Sequence, residues 1–164
     1  MKIITAGTTR IAVMALPSAS SRREAEAAAR GMLLDAILGA GSQLGHWPDG
    51  APYIVGSPVY VSVSHSRRQV AVAVDASRRI GIDMEGLDRA EQLARVASRF
   101  LTPDEQGVCA GEPHGLVRAW TVKEAMFKIT REPDLRRLPL DGAPVAYSAP
   151  EGPDWLTLAV CPEP

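Results

Sequence analysis

Cysteine is scarce in this sequence. Its 164 residues include two, Cys109 and Cys161, and their spacing fits no zinc-binding pattern. Both sit among small or apolar neighbours, which reads as buried free thiols. Long apolar runs are missing as well. Nothing approaches the ~18 consecutive apolar residues of a membrane span, so no membrane association is expected. Met1 to Leu16 lacks a long apolar stretch followed by a small-residue cleavage site, the mark of a secretory leader; a cytoplasmic location is the expectation. There is no excess of either charge: Lys and Arg number 18, Asp and Glu 19, and the formal net charge is -1. A general nucleic-acid binder is strongly basic, so none is expected here. Internal repeats and low-complexity segments are also absent.

Hydrophobic residues make up 46% of the chain, enough for a real core in one compact domain or two very small halves. Lys2 to Leu16 reads as one or two strands. Ser21-Arg22-Arg23-Glu24 has the form of a capping box. It opens a helix over 21–38 whose Ala25, Ala28, Ala29, Met32, Leu33, Ala36 and Ile37 repeat at helical spacing. Gly45 to Ser57 is a Gly/Pro-rich loop with short extended pieces. A hairpin over 59–74 turns at His65 to Gln69, and a strand follows over 79–85. Helices are expected over 90–100 and 116–130, with a short one between them that Thr102 caps and Pro103 starts. Ala143 to Tyr147 and Trp155 to Val160 are the closing strands. The order fits an α+β class.

Chemistry gathers in three places. In the 116–130 helix, Thr121, Glu124 and Lys128 fall at i, i+3 and i+7 and form one polar stripe on an otherwise apolar helix. Burying that carboxylate and ammonium is costly unless they pair or hold a ligand; the plain alternative is a solvated ion pair on a helix surface. Asp83 and Glu85 are two apart on a strand and share a face. With Glu124 they make an all-oxygen set of the kind Mg²⁺ prefers, and Lys128 would face the same phosphates. Such a set suits phosphoryl transfer or pyrophosphate cleavage. Ser64-His65-Ser66 ends a strand just before Arg67-Arg68, and hydroxyls, imidazole and guanidinia bind phosphate. A structural histidine at the hairpin is the plain alternative. A Ser-His hydrolase also competes, although Ser64 does not sit in G-x-S-x-G.

Gly56-Ser57-Pro58 with Ser62 to Ser66, then Ile80 to Glu85, then Trp120 to Lys128 together resemble a 4'-phosphopantetheinyl transferase of the surfactin-synthetase-activating type. The resemblance covers roughly Ser21 to Asp141. It implies two similar α/β halves, 1–79 and 80–164, related by pseudo-twofold symmetry, with CoA bound in the cleft between them and the protein acting as a monomer. It implies Mg²⁺-dependent transfer of the phosphopantetheine arm of CoA to a serine of an apo acyl or peptidyl carrier protein, releasing 3',5'-ADP. Asp83, Glu85 and Glu124 match the metal ligands, Glu124 also the general base, and Lys128 the lysine that assists the leaving group. Ser64 and His65 match contacts to CoA phosphates, and Lys123 a secondary one. Arg22 and Arg30 could replace basic residues that are thin near the N-terminus. Ala51 stands where the family often has lysine, one positive charge fewer near CoA. A non-catalytic CoA- or carrier-binding module on the same scaffold is the alternative, and a general base would be superfluous in it.

Overall fold

Period-two alternation sorts the central strands of this protein into one face for a helix and one for a second sheet. The computed structural model describes residues 1–142 and 144–162. In chain order the main elements are β1 (Lys2–Ala6), β2 (Thr9–Ala15), α1 (Arg22–Leu38), β3 (Leu44–His46), β4 (Pro52–Ile54), β5 (Tyr60–His65), β6 (Gln69–Asp75) and β7 (Ile80–Gly86). Then come α2 (Ala90–Ala94), α3 (Pro103–Ala110), α4 (Gly115–Thr130), β8 (Val145–Glu151) and β9 (Asp154–Val160).

The strands form a four-stranded antiparallel sheet, β1-β2-β6-β5, and a three-stranded one, β7-β9-β8; β3 and β4 pair by themselves. In β6, Val70, Val72 and Val74 join Ala29, Leu33, Leu34 and Ile37 of α1 in one cluster. Ala71 and Ala73 point the other way and meet Ile80, Ile82 and Met84 of β7 and Leu156, Leu158 and Val160 of β9. The outer face of the second sheet receives α4, with Ala159 packed among Val117, Val122, Ala125, Met126 and Ile129. The layers therefore run helix, sheet, sheet, helix, and the all-round apolar character of α4 follows from burial against strands, α3 and the loop around Leu138.

Both sheets share a local topology. A strand leads through a long helix to a hairpin, and the hairpin's second strand pairs with the first strand: β2-β6-β5 around α1, and β7-β9-β8 around α4.

Local signals explain the termini. Ser21 accepts the Glu24 amide at the start of α1, and Thr102 with Glu105 completes a reciprocal capping box on α3. The helix expected over 90–100 is broken: α2 stops at Ala94, and 3-10 turns occupy Leu87–Arg89 and Ala97–Arg99. Val96 takes φ -121 and ψ 9, outside the helical region. The break still buries Leu93, Ala97 and Phe100 against α4, so tertiary packing overrides helical propensity. The first closing strand begins at Val145; Ala143, from which it was expected, lies outside the described residues, as do Glu163 and Pro164 at the end of the expected 80–164 half.

The two sheets meet edge to edge through serines. Successive inward positions of β5 place Ser62 and Ser64 against β7, where their hydroxyls accept the Ile82 and Met84 amides, each at 3.0 Å. Ser66, two residues on, donates to Asp154 at 2.7 Å. This hydroxyl seam satisfies amides on the open edge of β7 that no neighbouring strand reaches.

Candidate active site

Parity puts Asp83 and Glu85 on the α4 side of β7, since Ile82 and Met84 take the opposite face. On α4, Thr121, Glu124 and Lys128 turn toward the same sheet. Thr121 is buried and its hydroxyl meets that of Thr157 at 2.9 Å, which fixes the rotation of the helix over β9. Lys128 reaches back one turn, donating to the Ile82 carbonyl and to Asp83 Oδ1 at 3.2 Å. Asp83 also accepts from Ser64 at 3.1 Å. Glu85 is held by Arg89 at 2.6 Å and by the Gly86 amide at 3.0 Å.

All three carboxyls are pushed above their ordinary range. For Asp83 the cause is burial, partly offset by the Lys128 charge and hydrogen bonds. For Glu85 it is burial first, opposed by the Gly86 amide and Arg89, with the Asp83 and Asp154 charges adding to the rise. For Glu124 it is burial, then the charge of Asp83, relieved by Lys128. Burial leads in all three, and the Asp83 charge adds to the rise at both Glu85 and Glu124. Among the described residues, however, no group of three or more His, Cys, Asp or Glu side chains is drawn together closely enough to hold a metal ion. The donors suit a hard divalent cation in kind and in charge; in this arrangement Lys128 and Arg89 neutralise two of them instead.

Glu124 and Lys128 line a cleft of about 890 Å³. Its other wall is the loop from Trp47 to Tyr53 and the start of β5, and Arg79, Phe127 and Arg131 complete it. Ala51 is in this lining. The sequence offers Arg79, within the Arg78-Arg79 pair, as a possible partner for phosphate, and Tyr53 follows Ala51 in the Gly50-Ala51-Pro52-Tyr53 match; nothing in it points to Arg131 or Trp47. Each lies just outside a recognisable motif or in the Gly/Pro-rich loop, and only the fold brings them to one cavity.

The other expected site residues are elsewhere. Ser64 is buried in the seam with its hydroxyl fully engaged, so it has no free group for a phosphate. His65 is on the opposite face of β5, 3.7 Å from Glu26. That parity removes the Ser-His hydrolase reading, because neighbouring strand residues cannot form the dyad. Arg22 joins the same surface group, bonded to Glu26 at 2.7 Å and to the Ser66 carbonyl at 2.8 Å, and Arg30 follows Glu26 by one turn of α1. Lys123 is a correction. It is fully buried, its ammonium bonded to Glu105 at 2.7 Å and to the Leu138 carbonyl. It anchors α3 and the loop around Leu138 to α4 and cannot reach a ligand in the cleft.

Ser64→Ala should therefore act on stability. It strands the Met84 amide and removes a donor to Asp83, an expected loss of about 1–3 kcal/mol in a denaturant melt. Unchanged stability would show that the seam does not bear on the fold.

No helix among the described residues is long and apolar enough to cross a membrane. Comparison with known proteins bears on the same segment. A 79-residue stretch is 35% identical to the 4'-phosphopantetheinyl transferase HetI of Nostoc sp. (strain PCC 7120 / SAG 25.82 / UTEX 2576), covering 45% of this chain and 33% of that relative's length. Residues 79–153 match the family model of the 4'-phosphopantetheinyl transferase superfamily. That stretch contains Asp83, Glu85, Glu124 and Lys128, and both matches support its kinship with the 4'-phosphopantetheinyl transferase superfamily.

Proposed function

We propose that this protein transfers the 4'-phosphopantetheine arm of CoA to a serine of an apo acyl or peptidyl carrier protein, as a self-contained monomer of the surfactin-synthetase-activating type. The observation that carries the proposal is that Glu124 and Lys128 of α4 share the wall of an open cleft while Lys128 pairs with Asp83 of β7 behind it, all within the family-matched stretch. The shared strand–helix–hairpin topology around α1 and α4 supports two halves related by a pseudo-twofold axis.

In this reading Glu124 takes the proton from the carrier serine hydroxyl as its oxygen attacks the β-phosphorus of CoA. Burial and neighbouring acids raise its basicity toward neutral pH, where a general base works best. The phosphoanhydride bond to the departing nucleotide breaks, and Lys128 stabilises the charge that develops on the leaving 3',5'-ADP. Asp83, Glu85 and Glu124 are the donors that would hold Mg²⁺ once drawn closer than in this arrangement, with Arg89 and Lys128 released from Glu85 and Asp83. When bound, the ion supplies charge neutralisation at the pyrophosphate. Intact-protein mass spectrometry against a panel of apo carrier proteins tests the proposal. A mass gain of one phosphopantetheine on a carrier supports it. Tight CoA binding with no transfer to any carrier would favour the binding-module alternative, for which no feature of the site speaks.

The raised carboxyls give a second, independent test. A folded-state pKa above the unfolded value means the folded chain keeps protons that the unfolded chain releases. Stability from this group therefore falls as pH climbs through and above the ordinary carboxylate range. A divalent cation offsets the penalty only where the groups are ionised. Added MgCl₂ should raise Tm by several degrees at roughly pH 8 and hardly at all at roughly pH 4. Equal shifts at both would place the ion elsewhere.

A further inference from the structure

The cleft is unevenly charged. Its α4 wall carries Lys128 and Arg131 with one carboxylate, Glu124, and Arg79 stands beside them just before β7. The facing loop contributes one carboxylate, Asp49, and no cation. Arg131 ends α4 in the left-handed region, at φ 62. Its amide still closes the last turn onto the Phe127 carbonyl at 2.8 Å. Glycine is the residue that takes this cap at no steric cost. Arginine there directs a guanidinium across the mouth of the cleft, where Nη2 meets Asp49 Oδ2 at 3.1 Å. The other Asp49 oxygen accepts the Ala51 amide at 3.0 Å, so the pair ties the end of α4 to the loop opposite.

Both partners are about half exposed, 47% and 60%. An ion pair so open to water is held weakly and exchanges readily for a stronger anion. Arg79 is exposed too. Its contact is with the Ile129 carbonyl at 3.3 Å, and among the described residues it has no carboxylate partner. Guanidinia offer forked donors suited to phosphate oxygens. The residues expected to hold phosphate, Ser64, His65, Arg22 and Arg30, are not in this lining.

We infer that Arg131 and Arg79 are the phosphate-binding residues at the outer end of this cleft, with Asp49 as a placeholder that positions Arg131 until a phosphate-bearing ligand displaces it. The inference deepens the proposed use of CoA and rests on that reading for the identity of the ligand, though not for the anion subsite itself.

Calorimetry with CoA and, separately, inorganic pyrophosphate tests it on the full chain, using Arg131→Gly, Arg79→Gln and Asp49→Asn. Glycine at 131 suits the left-handed cap, so Tm should hold or rise and loss of fold cannot be confused with loss of binding. Asparagine at 49 keeps the oxygen that accepts the Ala51 amide. Arg131→Gly and Arg79→Gln should each weaken CoA binding about fivefold or more, the scale of a lost charge-assisted contact near solvent, and flatten its salt dependence. Asp49→Asn should tighten it. If wild type binds CoA and the two arginine variants bind it equally well, the inference is overturned and the transferase reading survives. If wild type binds pyrophosphate through Arg131 but not CoA, the subsite stands and the CoA reading falls. Binding of neither probe overturns both.

Discussion

Glu124→Gln should lower the rate of phosphopantetheine transfer by at least ~100-fold, the usual scale for loss of a general base, without loosening the fold. The substitution keeps volume and removes one charge from a set of three neighbouring acids. Glu124 is raised by burial and by the charge of Asp83, so its removal relieves repulsion in the folded state. Tm should therefore stay level or rise as activity collapses, the trade expected where a site is kept strained for chemistry. A base and a metal ligand separate by their readouts. Loss of the base flattens the acid limb of the pH profile at saturating Mg²⁺, whereas loss of a ligand raises the Mg²⁺ requirement and leaves the limb in place. Transfer at the wild-type rate would remove Glu124 from the mechanism. A parallel fall in rate and Tm would mark it as structural.

Period and spacing made the inner site legible. Two residues of separation on a strand put Asp83 and Glu85 on one face, and three and seven on a helix put Thr121, Glu124 and Lys128 on one stripe. The sequence does not state which way that stripe turns, and here the hydrogen bond between Thr121 and Thr157 and the burial of the apolar flanks decide it. Lys123 shows the converse. The motif match alone gives it a role at the site, while one residue along a helix is a rotation of about 100° that turns it away from Glu124, and the fold aims it at Glu105 behind the site. The serines of β5 were misjudged for a related reason. Ser64 and His65 were read together as phosphate contacts although strand alternation sets them on opposite faces, and a hydroxyl at a strand end looks the same whether it awaits a phosphate or caps the amide of another sheet. The outer cleft was legible only in part, through Ala51 and the Arg78-Arg79 pair. Arg79, Arg131 and Trp47 lie far apart along the chain, and no local period links them. The break at Val96 escaped notice because neither glycine nor proline marks it.

The tightest glycine position predicts the second large effect. A Cβ built on Gly81 would lie 2.1 Å from the Ala125 carbonyl oxygen and 2.9 Å from Lys128 Cβ. The first is helix backbone, which cannot rotate aside. Gly81→Ala must therefore push α4 away from β7, opening the core around Ala125 and Met126 and drawing Lys128 from Asp83. Overpacking of this kind costs about 2–3 kcal/mol, which corresponds to about 5–10 °C in Tm for a chain of this size. Activity should fall by more than stability suggests, since a shift of about 1 Å between reacting groups can cost ~10²-fold. Gly31→Ala is the control. Gly31 lies within α1, and nothing stands within 4 Å of its would-be Cβ. The same change there should stabilise the protein by about 0.5–1 kcal/mol through helix propensity and leave transfer untouched. Identical substitutions with opposite signs isolate the contact as the cause. If Gly81→Ala melts and turns over like the wild type, α4 is not seated on β7 as described, and the geometry that joins Glu124 and Lys128 to Asp83 goes with it.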